Sequence, residues 1–243
     1  MGSNISLPTE LLDRWFTERF ARPANAEPSP VYGPVPEAFA EVLASLPGSL
    51  VIGGRALDVS CGDGRYTLAL AERGFSVLAL DHLPAALTRA AEVVGCRGLS
   101  QRVQFHSARL PSDLASLGRF DFVVCGSCFL HLLGRTVADE VICQIKAATK
   151  PCGVNFVCLS TNILRQLPCG HSFSYDREAS YGSEEAEEIL RRHYFDWEEL
   201  ALHREDLAER WDIPTIARAS LGAAEYTRTE TEVTFAARRP PGD

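Results

Sequence analysis

The sequence predicts an α/β fold in which a mostly parallel sheet is covered by helices on both faces. Between residues 55 and 160, apolar segments of strand length alternate with segments of helical periodicity. Strands that are apolar throughout are typical of parallel sheets buried on both faces. The predicted strands are 55–60, 75–80, 102–107, 120–126 and 154–160, and the predicted helices between them are 64–73, 84–94 and 136–149.

The first 50 residues are predicted to form a helical cap on this core. Thr9 can cap an amphipathic helix over 9–20. A proline-rich loop over 22–36 separates it from a second helix over 36–46. The chain has 243 residues, which suits one elaborated domain better than two, so we treat 1–243 as a single domain.

The alternation of strands and helices ends after Ser160. A polar loop follows, then a helix over about 184–194 and two further strands near 197–203 and 226–237. The loop comes directly after a strand of the sheet, so it can close over the edge at which open α/β sheets bind ligands. The loop and helix, segment 161–194, are therefore predicted to cover a bound substrate.

The composition limits the partners of the chain. Its formal net charge is −8, and nucleic acid is not expected to bind because its phosphates would be repelled. No run reaches the roughly 18–20 apolar residues of a membrane helix. The N-terminus lacks the basic start and apolar run of a secretory signal, which predicts a cytoplasmic protein without a membrane span. The opening MGSNIS fits a loose myristoylation pattern, but an unmodified start is the simpler interpretation. The oligomeric state is left open.

Eight cysteines are present, and most lie in apolar segments. This usage is typical of reduced, buried thiols in the cytoplasm. Cys125 and Cys128 form one CxxC pair, but no second pair follows. We therefore expect no metal site, with zinc binding or a redox pair as the alternatives.

The strongest motif is ALDVSCGDGRYTLALAERGFSVLALD, residues 56–81. It reads as a strand, a glycine-containing turn, a helix and a second strand that ends in an acid. Gly62 and Gly64 allow a tight turn and a close approach to a ligand. Asp58 closes the first strand, and Asp81 is placed to accept hydrogen bonds from both hydroxyls of a ribose. The turn lacks the GxGxxG pattern of dinucleotide enzymes, which suits a cofactor without a pyrophosphate.

This stretch resembles the class I S-adenosylmethionine-dependent methyltransferases. The resemblance implies a Rossmann-like, seven-stranded sheet with an antiparallel C-terminal strand pair, which agrees with the two late strands. It also implies that Asp58 and the turn over 60–64 hold the methionine end of S-adenosylmethionine, and that Asp81 holds the ribose. The alternative is an unrelated α/β nucleotide binder. The expected cofactor residues are Asp58, Ser60, Cys61, Gly62, Gly64, Arg65, Asp81, His82, Ala108, Arg109 and Cys125.

The sequence departs from this family at two places. The family usually has glycine where this chain has Ser60. It also often has an acid near the adenine, where this chain has the segment 106–109, HSAR. Adenine binding would then depend on backbone groups, or on Asp113 a turn later.

The second half of the chain resembles the TehB-type tellurite-resistance methyltransferases. The similar segments are TKPCGVNFVCLS, LPCGHSFSY, EILRRHYFDWEEL and EVTFAARR, and the resemblance covers about residues 30–237. The chain departs from that family in the loop 174–184 and in the stretch 204–224. Both departures affect the region expected to hold the acceptor.

A basic and aromatic group of residues follows the fifth strand. His171 and Phe173 lie in the predicted loop, and Arg192 and Tyr194 lie at the end of the following helix. We expect His171 and Arg192 to face the transferable methyl group, with Phe173 and Tyr194 contacting the acceptor. The alternative is that the arginines pair with glutamates on their own helix. His131 is either a third catalytic residue or a core histidine.

Methyl transfer from a sulfonium is an in-line displacement, in which the enzyme mainly aligns and desolvates the reactants. The resemblance and the basic residues favour a small soft or anionic acceptor, such as tellurite, selenite or a thiol. An oxygen nucleophile would need a base, for which His171 or His131 could serve. The alternatives are a small-molecule O- or N-methyltransferase, and a cofactor-binding protein of this fold without methyl transfer.

Overall fold

A computed structural model of the chain describes residues 3–21, 33–110, 114–126 and 134–242. Nine strands in these residues form one sheet. The strands are β1 (Asn4–Leu7), β2 (Arg55–Val59), β3 (Ser76–Asp81), β4 (Val103–Ser107), β5 (Phe120–Cys125), β6 (Thr149–Gln166), β7 (Ser172–Tyr175), β8 (Glu198–Asp212) and β9 (Glu225–Arg238). The helices are α1 (Leu11–Phe20), α2 (Glu37–Ser45), α3 (Gly48–Val51), α4 (Arg65–Arg73), α5 (Pro84–Cys96), α6 (Arg135–Ala147), α7 (Ser183–His193) and α8 (Thr215–Leu221).

The predicted fold class is confirmed. The main sheet has the order β4-β3-β2-β5-β6-β9-β8, and its first five strands are parallel. β9 is antiparallel to β6, and β8 is antiparallel to β9. Two short strands, β1 and β7, were not predicted; they pair with each other, and β7 pairs with the far end of β6.

Helices cover both faces of this sheet. On one face, buried residues of α2, α4 and α5 pack on the strands. On the other face, α6 and α7 do so. The central strands are therefore apolar on both sides, which is why their sequences show no alternation between polar and apolar residues.

The segment after Ser160 differs from the prediction. β6 does not end there but continues to Gln166, and β8 extends to Asp212 instead of ending near residue 203. The extensions of β6 and β8 both pair with β9. Pairing between strands so distant in sequence leaves no local signal, and the polar residues of the extensions look like a loop.

The N-terminal segment is held by a third cluster of buried side chains. Trp15 of α1 contacts the Phe173 ring at 6.1 Å and the Tyr226 ring at 6.1 Å between centroids. β1 pairs in parallel with β7, the strand that contains Phe173, so the start of the chain lies beside the same cluster. α1 therefore lies at the carboxyl end of the sheet, beside α5. In the described ranges, no helix is both long and apolar enough to cross a membrane.

Candidate active site

The turn between β2 and α4 has the backbone that its glycines predict. Gly64 has a φ of 84°, and a Cβ there would come within 2.8 Å of the Ala90 Cβ and 2.9 Å of its Cα. Only glycine fits this contact between the turn and α5. Ser60 has a φ of 59°, in the left-handed region that costs a residue with a Cβ about 1–2 kcal/mol. The class I methyltransferases usually have glycine at this position, and glycine adopts this backbone conformation without that cost.

Asp81 joins the turn to the end of β3. Its Oδ2 accepts a hydrogen bond from the Gly62 N–H at 3.0 Å, and its Oδ1 accepts one from the Leu83 N–H at 2.9 Å. Each carboxylate oxygen has a further lone pair, so a ribose diol can still donate to both. Burial raises the pKa of Asp81, against the opposing effect of these two N–H groups and of His82.

Asp58 lies behind the turn and is fully buried. Its Oδ2 accepts a hydrogen bond from the Thr67 hydroxyl at 2.5 Å, while its Oδ1 has no partner among the described residues. Burial, with Asp81 and Asp63 nearby, raises the pKa of Asp58 to about 7, although the Thr67 hydrogen bond lowers it.

A pocket of about 60 Å³ lies above the turn at the carboxyl edge of the sheet. It contains six of the predicted cofactor residues, namely Ser60, Cys61, Gly62, Arg65, Asp81 and His82. Phe16 and Phe20 of α1 cover it. His82 is held by a contact of 2.7 Å between its Nε2 and Asp13 Oδ1, also from α1. Binding a cofactor as large as S-adenosylmethionine here requires the two phenylalanine side chains to move.

The other predicted cofactor residues lie around this pocket rather than in its wall. Asp58 and Gly64 shape the turn from behind. Cys125 is buried at the end of β5, next to Gly126 in the wall. Ala108 donates its backbone N–H to the Asp81 carbonyl at 3.1 Å. The Arg109 side chain is 71% exposed and lies 3.5 Å from Asp13.

A second, larger cleft of about 190 Å³ adjoins the pocket, and we call it the β8–β9 cleft. Arg65 lines both spaces. The wall is formed by the extensions of β8 and β9, whose alternate side chains point to one face as in any strand. The lining residues are Pro34, Pro36, Arg65, Ser160, Glu205, Leu207, Glu209, Trp211, Arg228, Glu230 and Glu232.

The structure does not bring the predicted acceptor residues together. His171 is exposed in the turn between β6 and β7. Phe173 is 2% exposed and packs in the core against Trp15, and Tyr194 is equally buried. The Tyr194 hydroxyl donates to Asn155 Oδ1 at 3.0 Å. Both aromatic residues are therefore core residues, and they line neither the pocket nor the β8–β9 cleft.

Arg192 lies at the opposite edge of the sheet from the pocket. α7 begins beside Thr161, whose hydroxyl oxygen lies 3.0 Å from that of Ser183, the first residue of the helix. From there the helix runs back along β6. Its eleven residues span about 16 Å, so its end reaches Lys146, which donates to the His193 carbonyl. Arg192 is exposed there, which corrects the expectation that it faces the transferable methyl group.

Arg191 pairs with Glu187 of its own helix, as the alternative interpretation predicted, and also with Glu199 of β8. Its guanidinium is 3.6 Å from Glu187 and 3.3 Å from Glu199. His131, Cys128 and Asp113 lie outside the described residues. Within 3–21, 33–110, 114–126 and 134–242, no group of three or more potential ligands could hold a metal ion.

Comparison with known proteins gives a family that covers most of the chain. The family described as "Tellurite resistance protein TehB" matches residues 36–213. The chain belongs to the TehB family. Hemagglutinin 1 of Eikenella corrodens is 30% identical over 149 residues, which are 60% of this chain and 44% of that protein. The chain thus matches less than half the length of this relative.

Solved structures of the same fold include a TehB protein and a SAM-dependent methyltransferase. The crystal structure of TehB from Haemophilus influenzae has a TM-score of 0.52 at 19% identity, covering 82% of this chain and 62% of that chain. A SAM-dependent methyltransferase from Methanosarcina mazei has a TM-score of 0.58 at 16% identity, covering 86% and 100%. The chain thus belongs to the TehB family and shares its fold with an S-adenosylmethionine-dependent methyltransferase.

The residues of the pocket fit that cofactor. Asp81 offers a carboxylate with free lone pairs, the turn offers backbone without side chains, and Arg65 offers a cation for the methionine carboxylate. When bound, S-adenosylmethionine supplies an electrophilic methyl group and a neutral thioether leaving group. The chain would hold the ribose through Asp81 and align the methionine end through the turn.

Sequence reasoning missed the β8–β9 cleft. The sequence carries no strand signal there, because polar and apolar residues share the face of β8 that lines the cleft, as Glu205, Leu207, Glu209 and Trp211 show. Tyr66 was also missed. Its ring lies 2.4 Å from where a Cβ on Gly126 would be, so this glycine permits the tyrosine to pack beneath the pocket.

Proposed function

We propose that this TehB family protein transfers the methyl group of S-adenosylmethionine to a small molecule bound in the β8–β9 cleft. The observation that supports this is the position of Arg65, which lines the cofactor pocket and the cleft. In-line transfer requires the nucleophile about 3 Å from the methyl carbon. The two spaces adjoin at Arg65, which supports an acceptor bound in the cleft beside a cofactor bound in the pocket.

The volume of the cleft favours a small acceptor. At about 190 Å³, it is comparable to an engineered cavity of about 150 Å³ that holds benzene. A single ring or a short chain would therefore fill it. That nucleic acid is not a partner stays a prediction.

The charges of the cleft disfavour an oxyanion. Glu205, Glu209, Glu230 and Glu232 line it, and carboxylates repel tellurite or selenite. A soft acceptor such as tellurite or a thiol stays the second candidate, because the description of the family names tellurite resistance. These acceptors need little help from a base, whereas an amine or hydroxyl needs one.

The test measures S-adenosylhomocysteine formed from S-adenosylmethionine by the purified protein. The acceptors are tellurite, selenite, dithiothreitol and a deproteinised small-molecule extract. Leu207→Trp fills the cleft from β8, and Ala208→Trp adds the same side chain to the opposite, exposed face of that strand. We expect Leu207→Trp to lose turnover and keep affinity for S-adenosylhomocysteine, while Ala208→Trp keeps both. Equal turnover in the two variants would contradict the acceptor position, and absence of cofactor binding would contradict the methyltransferase assignment.

A further inference from the structure

The lining of the β8–β9 cleft carries an excess of negative charge. Its charged residues are Glu205, Glu209, Glu230, Glu232, Arg65 and Arg228. Four carboxylates against two guanidinium groups leave two uncompensated negative charges. A cation entering the cleft would therefore be attracted, and an anion repelled.

Two of these carboxylates already have partners. Glu230 forms an ion pair with Arg228, whose guanidinium lies 4.9 Å from the centre of the Trp211 ring. Glu209 accepts a hydrogen bond from the Trp211 indole N–H at 2.7 Å. The carboxylates left for a ligand are those of Glu205 and Glu232.

Glu232 is the deeper of these two carboxylates. It is 7% exposed, and its side chain has no hydrogen-bond or ion-pair partner within the described part of the chain. An isolated buried carboxylate costs several kcal/mol unless it is paired or protonated, and this one faces an open cleft. The unpaired group therefore indicates a ligand that donates to it.

The groups around Glu232 set its protonation. Burial raises the pKa of its carboxyl group, and the neighbouring charges of Glu230 on β9 and Glu205 on β8 add to this effect. Arg65 of α4 and Arg228 of β9 act in the opposite direction. A carboxyl group with a raised pKa is better suited to hold a proton near neutral pH than an ordinary glutamate.

The register of the strands gives the position of Glu232 relative to the cofactor pocket. Cys125, at the carboxyl end of β5, pairs with Val157 of β6. Ser160 lies three residues further along β6, about 10 Å beyond that level, and pairs directly with Glu232. The Glu232 side chain spans part of these roughly 10 Å. Arg65 lines both the cofactor pocket and the β8–β9 cleft, and it therefore lies where the two spaces meet.

We propose that the methyl acceptor is a small amine whose nitrogen binds against Glu232, and that Glu232 accepts the proton which this nitrogen must lose before it attacks. This inference rests on the proposed function. An ammonium N–H bond breaks and its proton moves to a Glu232 carboxylate oxygen. The freed lone pair forms the N–C bond to the methyl group as the C–S bond breaks, and the electrons of that bond stay on sulfur. Glu232 then releases its proton to solvent.

Binding is tested first, on wild-type protein saturated with S-adenosylhomocysteine. The probes are putrescine, histamine, tyramine and selenite, each titrated by calorimetry. We expect at least one amine to bind, selenite not to bind, and Glu232→Gln to weaken the amine at least tenfold. Glu198→Gln makes the same change on the exposed amino end of β8, and it should bind the amine like wild type. The inference is overturned if no amine binds at millimolar concentration, or if Glu232→Gln binds it unchanged.

Turnover with the bound amine tests the proton transfer. Loss of a general base costs about 10²–10⁴-fold in rate, so Glu232→Gln should lower kcat by at least a hundredfold. Glu232→Asp, which keeps the carboxylate, should recover part of it. The wild-type rate should fall as the pH falls and Glu232 becomes protonated, and Glu232→Gln should lack this dependence.

Two further measurements separate the possible failures. Removing an unpaired buried charge should not lower the melting temperature of Glu232→Gln, so its loss of activity is not unfolding. If S-adenosylhomocysteine does not bind to the wild type, the proposed function fails. If it binds and Glu232→Gln keeps the wild-type kcat, only the role of Glu232 is refuted.

Discussion

Asp81 offers the sharpest test of the cofactor pocket. Its carboxylate is 7% exposed and can accept both ribose hydroxyls while it holds the turn. Hydrogen bonds to a charged group contribute about 1.5–3 kcal/mol each, and about 1.4 kcal/mol corresponds to a tenfold change in affinity. Asp81→Ala should therefore weaken S-adenosylmethionine binding by at least about tenfold.

The same substitution has a structural cost that must be measured separately. It leaves the Gly62 and Leu83 N–H groups without the acceptor they have at 3.0 and 2.9 Å. Each unsatisfied buried donor costs about 1–3 kcal/mol, so the unfolding free energy should also fall. Asp81→Asn keeps one acceptor oxygen and the size of the side chain, and it should be more stable than Asp81→Ala.

Calorimetric titration with S-adenosylmethionine and urea denaturation of both variants distinguish the two effects. Asp139→Ala is a suitable control, because Asp139 contacts His193 at the other edge of the sheet and should leave the affinity unchanged. If a folded Asp81→Ala or Asp81→Asn protein bound S-adenosylmethionine with wild-type affinity, the pocket assigned to the cofactor would be wrong.

Three further substitutions test other parts of the structure. The folded pKa of Asp58, about 7, exceeds its ordinary value of 3.8, so the native state binds more protons between these values and stability falls as the pH rises through them. By linkage at about 1.4 kcal/mol per unit, the contribution of Asp58 to stability falls by about 3 kcal/mol between pH 4 and 7, and urea denaturation of Asp58→Asn should lack this part of the pH dependence. Gly64→Ala should destabilise the protein by more than about 2 kcal/mol through backbone strain and collision with α5, well beyond Gly170→Ala, which has the same φ of 84° but open space around it. His171→Ala and Arg192→Ala should leave turnover unchanged, and a selective loss of turnover in either would restore the anionic acceptor.

The sequence alone determined the parts of this protein that depend on short-range patterns. Buried strands, amphipathic helices and a glycine-containing turn are each encoded within a few residues, so the parallel core and the cofactor turn could be predicted. Asp81 ends the strand that follows this turn, and one βα unit brings it to the Gly62 N–H. The cofactor class was predicted from this contiguous stretch, and the fold shared with an S-adenosylmethionine-dependent methyltransferase agrees with it. The TehB family was predicted from short motifs in the second half of the chain, and it is confirmed.

Only the tertiary structure decided where the acceptor residues lie. The extension of β6 is held by pairing with β9, a strand far away in sequence, and its polar residues gave no local sign of that pairing. Because α7 runs back along β6, Arg192 lies at the amino edge of the sheet. The number of residues between His171 and Arg192 does not show at which edge of the sheet the helix ends. Glu232 and Arg65 lie on opposite halves of the chain, and they line one cleft because β6 and β9 stay paired past Val157, which is level with the end of β5.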